Sequence, residues 1–142
     1  MSTYIDADPE AGREFYVRYK DSGPIIMLNM LQFKINADYT GMENLEPARE
    51  VTGLSAYRTY LEKTRPCLDK IGSRILYYGK CSSFLIGPSE EKWDAILLVE
   101  HTSVAKFMEL VRDLEYLRHA GHRIAALEDS RLLPTLKGQE SP

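Results

Sequence analysis

The segment from Pro24 to Lys34 constrains the fold of this chain more than any other. Between these two residues the sequence reads Ile-Ile-Met-Leu-Asn-Met-Leu-Gln-Phe, so apolar side chains fall on both alternating faces. Because successive side chains of a strand point to opposite faces of a sheet, this pattern predicts a central strand that is covered on both sides. Asn29 interrupts one of the two faces. A buried amide without a partner costs about 1 to 3 kcal/mol, so we expect Asn29 to face a pocket or to bond a neighbouring loop.

Three further segments have the composition of strands. They cover residues 73–86, 93–102 and 130–137. Within the first of them Gly79 predicts a bulge or a bend, because glycine weakens a regular strand. When the first helix of the chain is set aside, the elements follow the order strand, helix, strand, strand, helices, strand. That order is typical of the split βαβ arrangement of ferredoxin-like domains.

The predicted helices begin at residues that cap helix N-termini. Asp8 and Pro9 start the first helix, which ends near residues 21–23. A second helix covers residues 55–71, and Pro66 is expected to kink or split it because proline removes a backbone donor. Two more helices begin after Ser103 and Asp113. Their residues with the spacing of an inward face are Val104, Phe107, Met108 and Val111, then Leu117, Ala120, Ile124 and Leu127.

These elements predict one α+β domain with a ferredoxin-like, four-stranded antiparallel sheet and helices on one face. The domain covers residues 24–137, preceded by a helical extension (1–23) and followed by a tail (138–142). A chain of 142 residues with 44% hydrophobic residues is long enough to bury one proper core. The other face of the sheet is too apolar to remain in water, so we expect a homodimer formed through the sheet faces.

Composition excludes several classes of partner. The net charge of -3 comes from interspersed signs with no basic run longer than a pair, so neither nucleic acid nor a membrane surface is expected. Cys67 and Cys81 lack the paired spacing of a metal site, and no apolar run resembles a signal peptide or a membrane span. We therefore expect a reduced cytoplasmic protein, without a cofactor or a metal.

Four motifs, taken in order, resemble a known bacterial family. They are Met27 to Lys34, Ile86-Gly-Pro, Trp93-Asp94 followed by Leu97 to Val99, and His122-Arg-x-Ala-Ala-Leu-Glu-Asp-Ser-Arg131. Together they are similar to the domain of unknown function 1330 family over residues 24 to about 135. The resemblance implies a ferredoxin-like protomer that forms a dimeric α/β barrel with the helices outside. It also implies a superfamily that contains cofactor-independent monooxygenases, polyketide cyclases, EthD-like proteins and haem enzymes, but it implies no particular reaction.

Chemistry is concentrated between Tyr116 and Arg131. His119, His122 and Arg123 are three and four residues apart, so we expect them to share one side of a helix with Tyr116. An imidazole titrates near pH ~6.5, which makes either histidine a candidate general acid or base, and Arg123 a candidate for holding an oxyanion.

Two alternatives remain open for the same residues. His122 and Arg123 could instead bond backbone carbonyls and Glu128 or Asp129, fixing the corner between helix and strand. A metal on both histidines would need a third ligand such as Glu115 or His101, and haem ligation by one histidine is suggested only by the superfamily.

A further set of side chains is expected to bind a ligand. Asn29 supplies a polar contact in an apolar wall. Tyr39 lies in the long loop at 35–53 and is a candidate lid residue or a surface anchor. The predicted binding residues are Asn29, Phe33, Tyr39, Tyr57, Tyr78, Trp93, Met108 and Tyr116; ordinary packing is the alternative for each aromatic residue.

These observations lead to one functional hypothesis and two rivals. The leading hypothesis is a homodimeric barrel that binds a small apolar, aromatic or polyketide-like molecule between sheet and helices. As a cofactor-independent monooxygenase, cyclase or isomerase, it would use His119 or His122 to abstract a proton, Arg123 to stabilise the oxyanion and Asn29 to orient the ligand. The rivals are a non-catalytic binding protein and a structural stress-response dimer without a pocket.

Overall fold

The computed structural model describes residues 2–138, so the last four residues of the expected tail, 139–142, lie outside the described residues. Asp8 caps the first helix as expected, because its carboxylate accepts from the amide of Ala11. Ser103 and Asp113 likewise cap the helices that follow them. The elements of the described chain are α1 Pro9–Tyr19, β1 Ile25–Phe33, α2 Gly53–Lys70, β2 Arg74–Lys80, β3 Ala95–His101, α3 Val104–Arg112, α4 Leu114–His119, α5 Gly121–Ala126 and β4 Leu127–Leu136.

The four strands form one antiparallel sheet in the order β2-β3-β1-β4. Strand β1 is central, paired with β3 on one side and with β4 on the other, as its apolar pattern predicts. The split βαβ order, the α+β class and the extra N-terminal helix are therefore confirmed.

The two faces of the sheet differ in burial. Met27, Leu31 and Leu97 share the face that packs beneath the helices, and all three are buried. The opposite face carries Ile26, Leu28, Met30, Ile96 and Leu98, which remain half-exposed in the protomer. Within the described residues, β1 is thus covered on one side only, whereas its sequence suggests cover on both. We call this half-exposed apolar surface the open face.

Two local predictions are wrong, and a third is wrong in part. Helix α2 is not split at Pro66, and buried Thr64 and Cys67 on either side hold it against the core. Strand β2 ends at Lys80, opposite the first residue of its partner β3, and one further backbone bond joins Cys81 to Asp94. The register shift in β2 lies between Ile75 and Tyr77 and not at Gly79.

The predicted last helix is also divided. Residue Ala120 separates α4 from α5, and Leu117 and Ile124, expected inward, are 51% and 44% exposed. At this break the long loop approaches closely, since a Cβ on Gly121 would lie 2.6 Å from the side chain of Leu45. Backbone bonds from Asp38 to Ala125 and from Lys34 to Ala126 hold the loop on α5.

Candidate functional site

A cavity of about 870 Å³ lies between the helix-covered face of the sheet and the helices. Its floor includes Met27 and Asn29 of β1 and Val99 of β3, and α2 lines one side through Tyr60 and Thr64. Its volume falls within the range of small-molecule sites, about 300 to 1,000 Å³. The structure therefore has room for an organic ligand inside the protomer.

The N-terminal segment covers this cavity. The backbone amide of Tyr4 donates to Asp129 (2.8 Å), and the Ser130 hydroxyl donates to the Tyr4 carbonyl (2.6 Å). The Arg123 guanidinium donates to the Ile5 carbonyl (2.7 Å), and the Arg131 guanidinium lies 4.9 Å from the centre of the Tyr4 ring. Helix α1 follows as a second part of the cover. The predicted lid, the loop at 35–53, contributes no residue to the described lining.

One end of the cavity is polar. The hydroxyls of Tyr60 and Tyr116 are hydrogen-bonded at 3.0 Å, and Arg123 lines the same end. Burial raises the pKa of Tyr60 well above its ordinary value, with Tyr116 adding to the shift and Arg123 opposing it. Tyr60 is therefore a neutral phenol at neutral pH. The Arg123 side chain is only 16% exposed, so its charge acts in a largely desolvated place.

The other end is largely aromatic, and α1 also contributes its Glu14–Arg18 ion pair to the lining. Phe15 of α1 packs edge-on against Phe107 of α3, with ring centres 5.7 Å apart, and Met108 lies beside them. His101 closes this end at the last residue of β3, and its Nδ1 lies 2.7 Å from the Ser73 hydroxyl. Burial lowers the pKa of His101 to about 4, so the ring is neutral at pH 7.

The cavity brings together four of the residues predicted from the sequence: Asn29, Met108, Tyr116 and Arg123. Asn29 lies in the cavity floor, and its amide nitrogen donates to the carbonyls of Leu97 (3.2 Å) and Met27 (3.4 Å) rather than to a loop. The other seven are absent from the described lining: Phe33, Tyr39, Tyr57, Tyr78, Trp93, His119 and His122.

The two predicted histidines face the long loop. The Nδ1 of His122 is hydrogen-bonded to the Tyr39 hydroxyl at 2.7 Å, and its ring stacks on His119 with the centres 6.1 Å apart. The Nε2 of His119 lies 3.3 Å from Glu115. Burial lowers the pKa of His122, and the charges of His119 and Lys63 add to the shift. This arrangement holds the loop against the junction of α4 and α5.

Arg123 has the kind of contact expected for a corner residue. It donates to the Ile5 carbonyl and, at 3.5 Å, to the Ser130 hydroxyl. Its ion-pair neighbour is Asp6 at 3.9 Å, whereas the expected partners Glu128 and Asp129 form no described bond with it. Arg123 therefore ties the N-terminal cover to β4 while also lining the cavity.

The remaining predicted aromatic residues pack around the site. Phe33, Tyr57 and Tyr60 form a chain of neighbouring rings, with centres 5.4 and 5.3 Å apart, which backs the polar end. Trp93 is buried beneath the guanidinium of Arg131, and Tyr78 lies half-exposed on the edge strand β2.

Comparison with solved structures places the chain in a family. The methylated form of RPA0582, a protein of unknown function from Rhodopseudomonas palustris, is 34% identical over 100% of both chains, with a TM-score of 0.87. The chain belongs to the RPA0582 family. No protein-family model and no curated protein matches it.

More distant structures share the fold of the RPA0582 family. A dimeric protein of unknown function with a ferredoxin-like fold from Bacteroides fragilis is 13% identical, with a TM-score of 0.50 over 80% of this chain and 96% of that one. Hydroxynitrile lyase from Passiflora edulis is 12% identical, with a TM-score of 0.51 over 85% of this chain and 99% of that one. The ferredoxin-like fold predicted from the sequence is thus shown.

Residues 2–138 of this RPA0582-family chain contain neither a clustered set of metal ligands nor a helix that could span a membrane. In that range no group of three or more His, Cys, Asp or Glu side chains is arranged to hold a metal ion. No helix there has the length and apolarity needed to cross a bilayer. Cys67 and Cys81 are both free thiols.

Sequence reasoning missed Tyr60, His101 as a cavity residue, and the whole N-terminal cover. Helical spacing predicts only that Tyr60 faces inward. It does not distinguish a tyrosine packed in the core from one beside a cavity. The bond between Ser73 and His101 joins residues 28 apart in sequence and has no local signature. The cover depends on contacts between residues 4–6 and β4, which no periodic pattern encodes.

Proposed function

We propose that the protein binds a small, elongated and largely apolar molecule in the cavity between sheet and helices, with an oxygen-bearing group at the polar end. The observation that carries this proposal is the asymmetry of the cavity. Arg123 and Tyr116 line one end, while Phe107 and Met108 line the other. An apolar wall with a few convergent polar groups is the usual composition of a small-molecule site.

The polar end favours an acidic or carbonyl oxygen over a cation. Arginine and neutral phenols are hydrogen-bond donors to such an oxygen, and a desolvated guanidinium strengthens the interaction. Tyr60 supports Tyr116 from behind, because the two hydroxyls are bonded and Tyr60 remains protonated. Aromatic acids, fatty acids and polyketide-like ketones all meet this description.

A second candidate is cofactor-independent acid–base chemistry on the bound molecule. The paired phenols beside Arg123 favour it, because Tyr116 can donate a proton to a carbonyl oxygen while Arg123 stabilises negative charge. His119 and His122, the bases of the sequence hypothesis, lie outside the described lining, so in this proposal they position α4 and α5. Recovery of the bound compound unchanged after long incubation supports the non-catalytic binding protein; a converted compound supports the enzyme.

We also propose that the protein is a homodimer in which a second copy covers the open face. Five apolar side chains of β1 and β3 remain half-exposed there. An apolar sheet face of this kind is rarely left in water. Leu28→Glu is expected to convert the dimer to monomers in light-scattering measurements, whereas Leu85→Glu, a change at a 99% exposed position outside the sheet, serves as control.

Two smaller assignments complete the proposal. The motifs that resemble the domain of unknown function 1330 family fall largely on β1, β3 and the corner between α5 and β4, which supports membership of that family. The free thiols Cys67 and Cys81 support a reduced, cytoplasmic location. The rival structural dimer without a pocket is disfavoured by the cavity itself.

Thermal unfolding with added ligands tests the binding proposal. The compounds are dodecanoate, 6-phenylhexanoate and their uncharged methyl esters. A ligand at a hundred times its dissociation constant stabilises the folded state by about 2.7 kcal/mol, which a melting curve resolves. We expect stabilisation by an acid that weakens in Tyr116→Phe and persists in Tyr78→Phe, the matched change outside the cavity. Equal loss in both variants, or no stabilisation by any compound, contradicts the proposal.

A further inference from the structure

His101 lies in the wall of the cavity at the end opposite Arg123. It is the last residue of β3, is 2% exposed, and packs against the edge of Phe107 with ring centres 5.1 Å apart. Its Nδ1 is bonded to the hydroxyl of Ser73, which is equally buried. The proposed function uses neither residue.

The hydrogen bond with Ser73 indicates which ring nitrogen of His101 carries the proton. A buried hydroxyl donates its proton to an acceptor, and among the described residues the only bond of the Ser73 hydroxyl is the one to Nδ1. With Nδ1–H as the donor the buried Ser73 proton would have no acceptor, so the tautomer in which Ser73 donates to Nδ1 is favoured. In a neutral imidazole the remaining proton then lies on Nε2. Burial keeps the pKa of His101 near 4, so this neutral form persists at neutral pH.

The Nε2 atom has no hydrogen-bond partner among the described residues. Three polar side-chain atoms of the described residues are fully buried without a partner, namely Thr64 Oγ1, Glu100 Oε2 and His119 Nδ1. The Nε2 of His101 is not among them, so part of its surface is accessible. Because His101 lines the cavity, its remaining accessible N–H is open to the cavity interior. A desolvated donor without an intramolecular partner is a specific contact for an acceptor oxygen.

The distance between the two ends follows from regular backbone geometry. On α2, Tyr60 lies at the polar end, and Leu68 accepts from the backbone of Ser73 at the other, a separation of about 12 Å at the rise of an α-helix. On β1, Asn29 and Ile25, which pairs with His101, are about 13 Å apart at the rise of a strand. Arg123 itself bonds Ser130, which pairs with Leu31 two residues beyond Asn29, so the two ends are at least about 12 Å apart.

We propose that the Nε2–H of His101, oriented by Ser73, donates a hydrogen bond to a second oxygen of the ligand, at least about 12 Å from the group bound near Arg123. This inference rests on the proposed function and narrows its ligand class. The ligand is a linear, largely apolar acid with a carbonyl oxygen near its far end. A chain with only one polar end leaves the His101 donor without a partner.

The first test is nitrogen NMR of ¹⁵N-histidine-labelled protein, with the His101 signals assigned by His101→Gln. We expect the proton on Nε2 and none on Nδ1, with no change between pH 8 and pH 5.5. A proton on Nδ1, or a charged ring at pH 7, overturns the inference. This measurement needs no ligand, because it is made on the native protein, and the variant serves only to assign the His101 signals.

The second test compares the affinities of 11-oxododecanoate and dodecanoate, which differ in one keto oxygen near the chain end. The ratio of the two affinities is expected to fall about fivefold in His101→Phe, the effect of one hydrogen bond. The change Tyr78→Phe, outside the cavity, is the control and leaves the ratio unchanged. An unchanged ratio in His101→Phe overturns this inference alone. If neither acid binds the native protein, the proposed function fails with it.

Discussion

The two sides of the α4–α5 segment have opposite surroundings although their residues are close in sequence. On one side Tyr116 and Arg123 line the cavity and meet Tyr60. On the other side His119 and His122 stack together, and His122 bonds Tyr39 of the long loop. We call these two groups the cavity side and the loop side. Among the described residues, the cavity side places space for a ligand next to polar atoms.

Helix geometry explains the separation. At about 100° per residue, positions 116 and 123 differ by only about 20° around a helix, whereas 119 and 122 fall progressively to one side. The break at Ala120 and the loop packed against Gly121 then fix the histidines on that side. Residues three and four apart in one helical segment can therefore face two different environments.

Arg123→Ala is expected to have the largest effect on the cavity side. It removes charge-assisted bonds to Ile5 and Ser130 and releases the cover, so we expect the free energy of unfolding to fall by about 3 kcal/mol. Acid binding is expected to weaken at least about tenfold. Chemical denaturation and calorimetric titration measure the two effects. If the variant loses stability but still binds the acid as tightly as the native protein, the role of Arg123 is structural.

Acid is expected to destabilise the protein through its buried histidines. The pKa of His101 is about 4 when folded and 6.5 ordinarily, so between these values the unfolded chain binds more protons. The free energy of unfolding is therefore retained above pH 6.5 and falls by up to about 3 kcal/mol as the pH drops to 4. His122, on the loop side, contributes in the same direction.

Unfolding curves from pH 7 to pH 4 separate the two contributions. His101→Gln is expected to flatten most of the pH dependence, and His122→Gln less of it. A steeper loss in His122→Gln than in the native protein would contradict the assigned directions.

Tyr39→Phe tests the loop side by itself. The change removes a hydroxyl and leaves the buried Nδ1 of His122 without its partner, which costs about 1 to 2 kcal/mol. Because Tyr39 lies outside the described lining, dodecanoate affinity is expected to remain unchanged. Urea denaturation and the same titration measure both quantities; weakened binding would show that the loop acts as the predicted lid.

His119→Gln is expected to have the smallest effect. Its Nε2 contacts Glu115, a half-exposed carboxylate, and such pairs contribute about 0.5 kcal/mol or less. We expect native-like stability, binding and any turnover. A complete loss of turnover in a folded variant would restore the sequence-based assignment of His119 as the catalytic base.

The sequence predicts the fold where its signals are local. Asp8, Ser103 and Asp113 cap the helices that follow them, and the apolar pattern of β1 indicates its central position. The end of β2 at Lys80 depends instead on where β3 begins, which is a property of the pair.

The site is less predictable because its contacts are distant in sequence. Tyr60 meets Tyr116 across 56 residues, and Arg123 meets Ile5 across 118. The sequence pattern could identify three of the cavity residues, Asn29, Tyr116 and Arg123, because they are polar residues on apolar faces. Whether a residue of α4 or α5 meets the cavity or the packed loop depends on distant contacts, such as those of Arg123 with Ile5 and of His122 with Tyr39, which no local pattern encodes.

Methionine methyl NMR tests most directly whether the cavity is the binding site. Met27 and Met108 line the cavity, Met42 lies beside Gly121 on the loop side, and Met30 lies on the open face. On titration with dodecanoate we expect the methyl signals of Met27 and Met108 to shift together while that of Met42 stays in place. A shift confined to Met42 or Met30 would contradict the assignment of the ligand to the cavity.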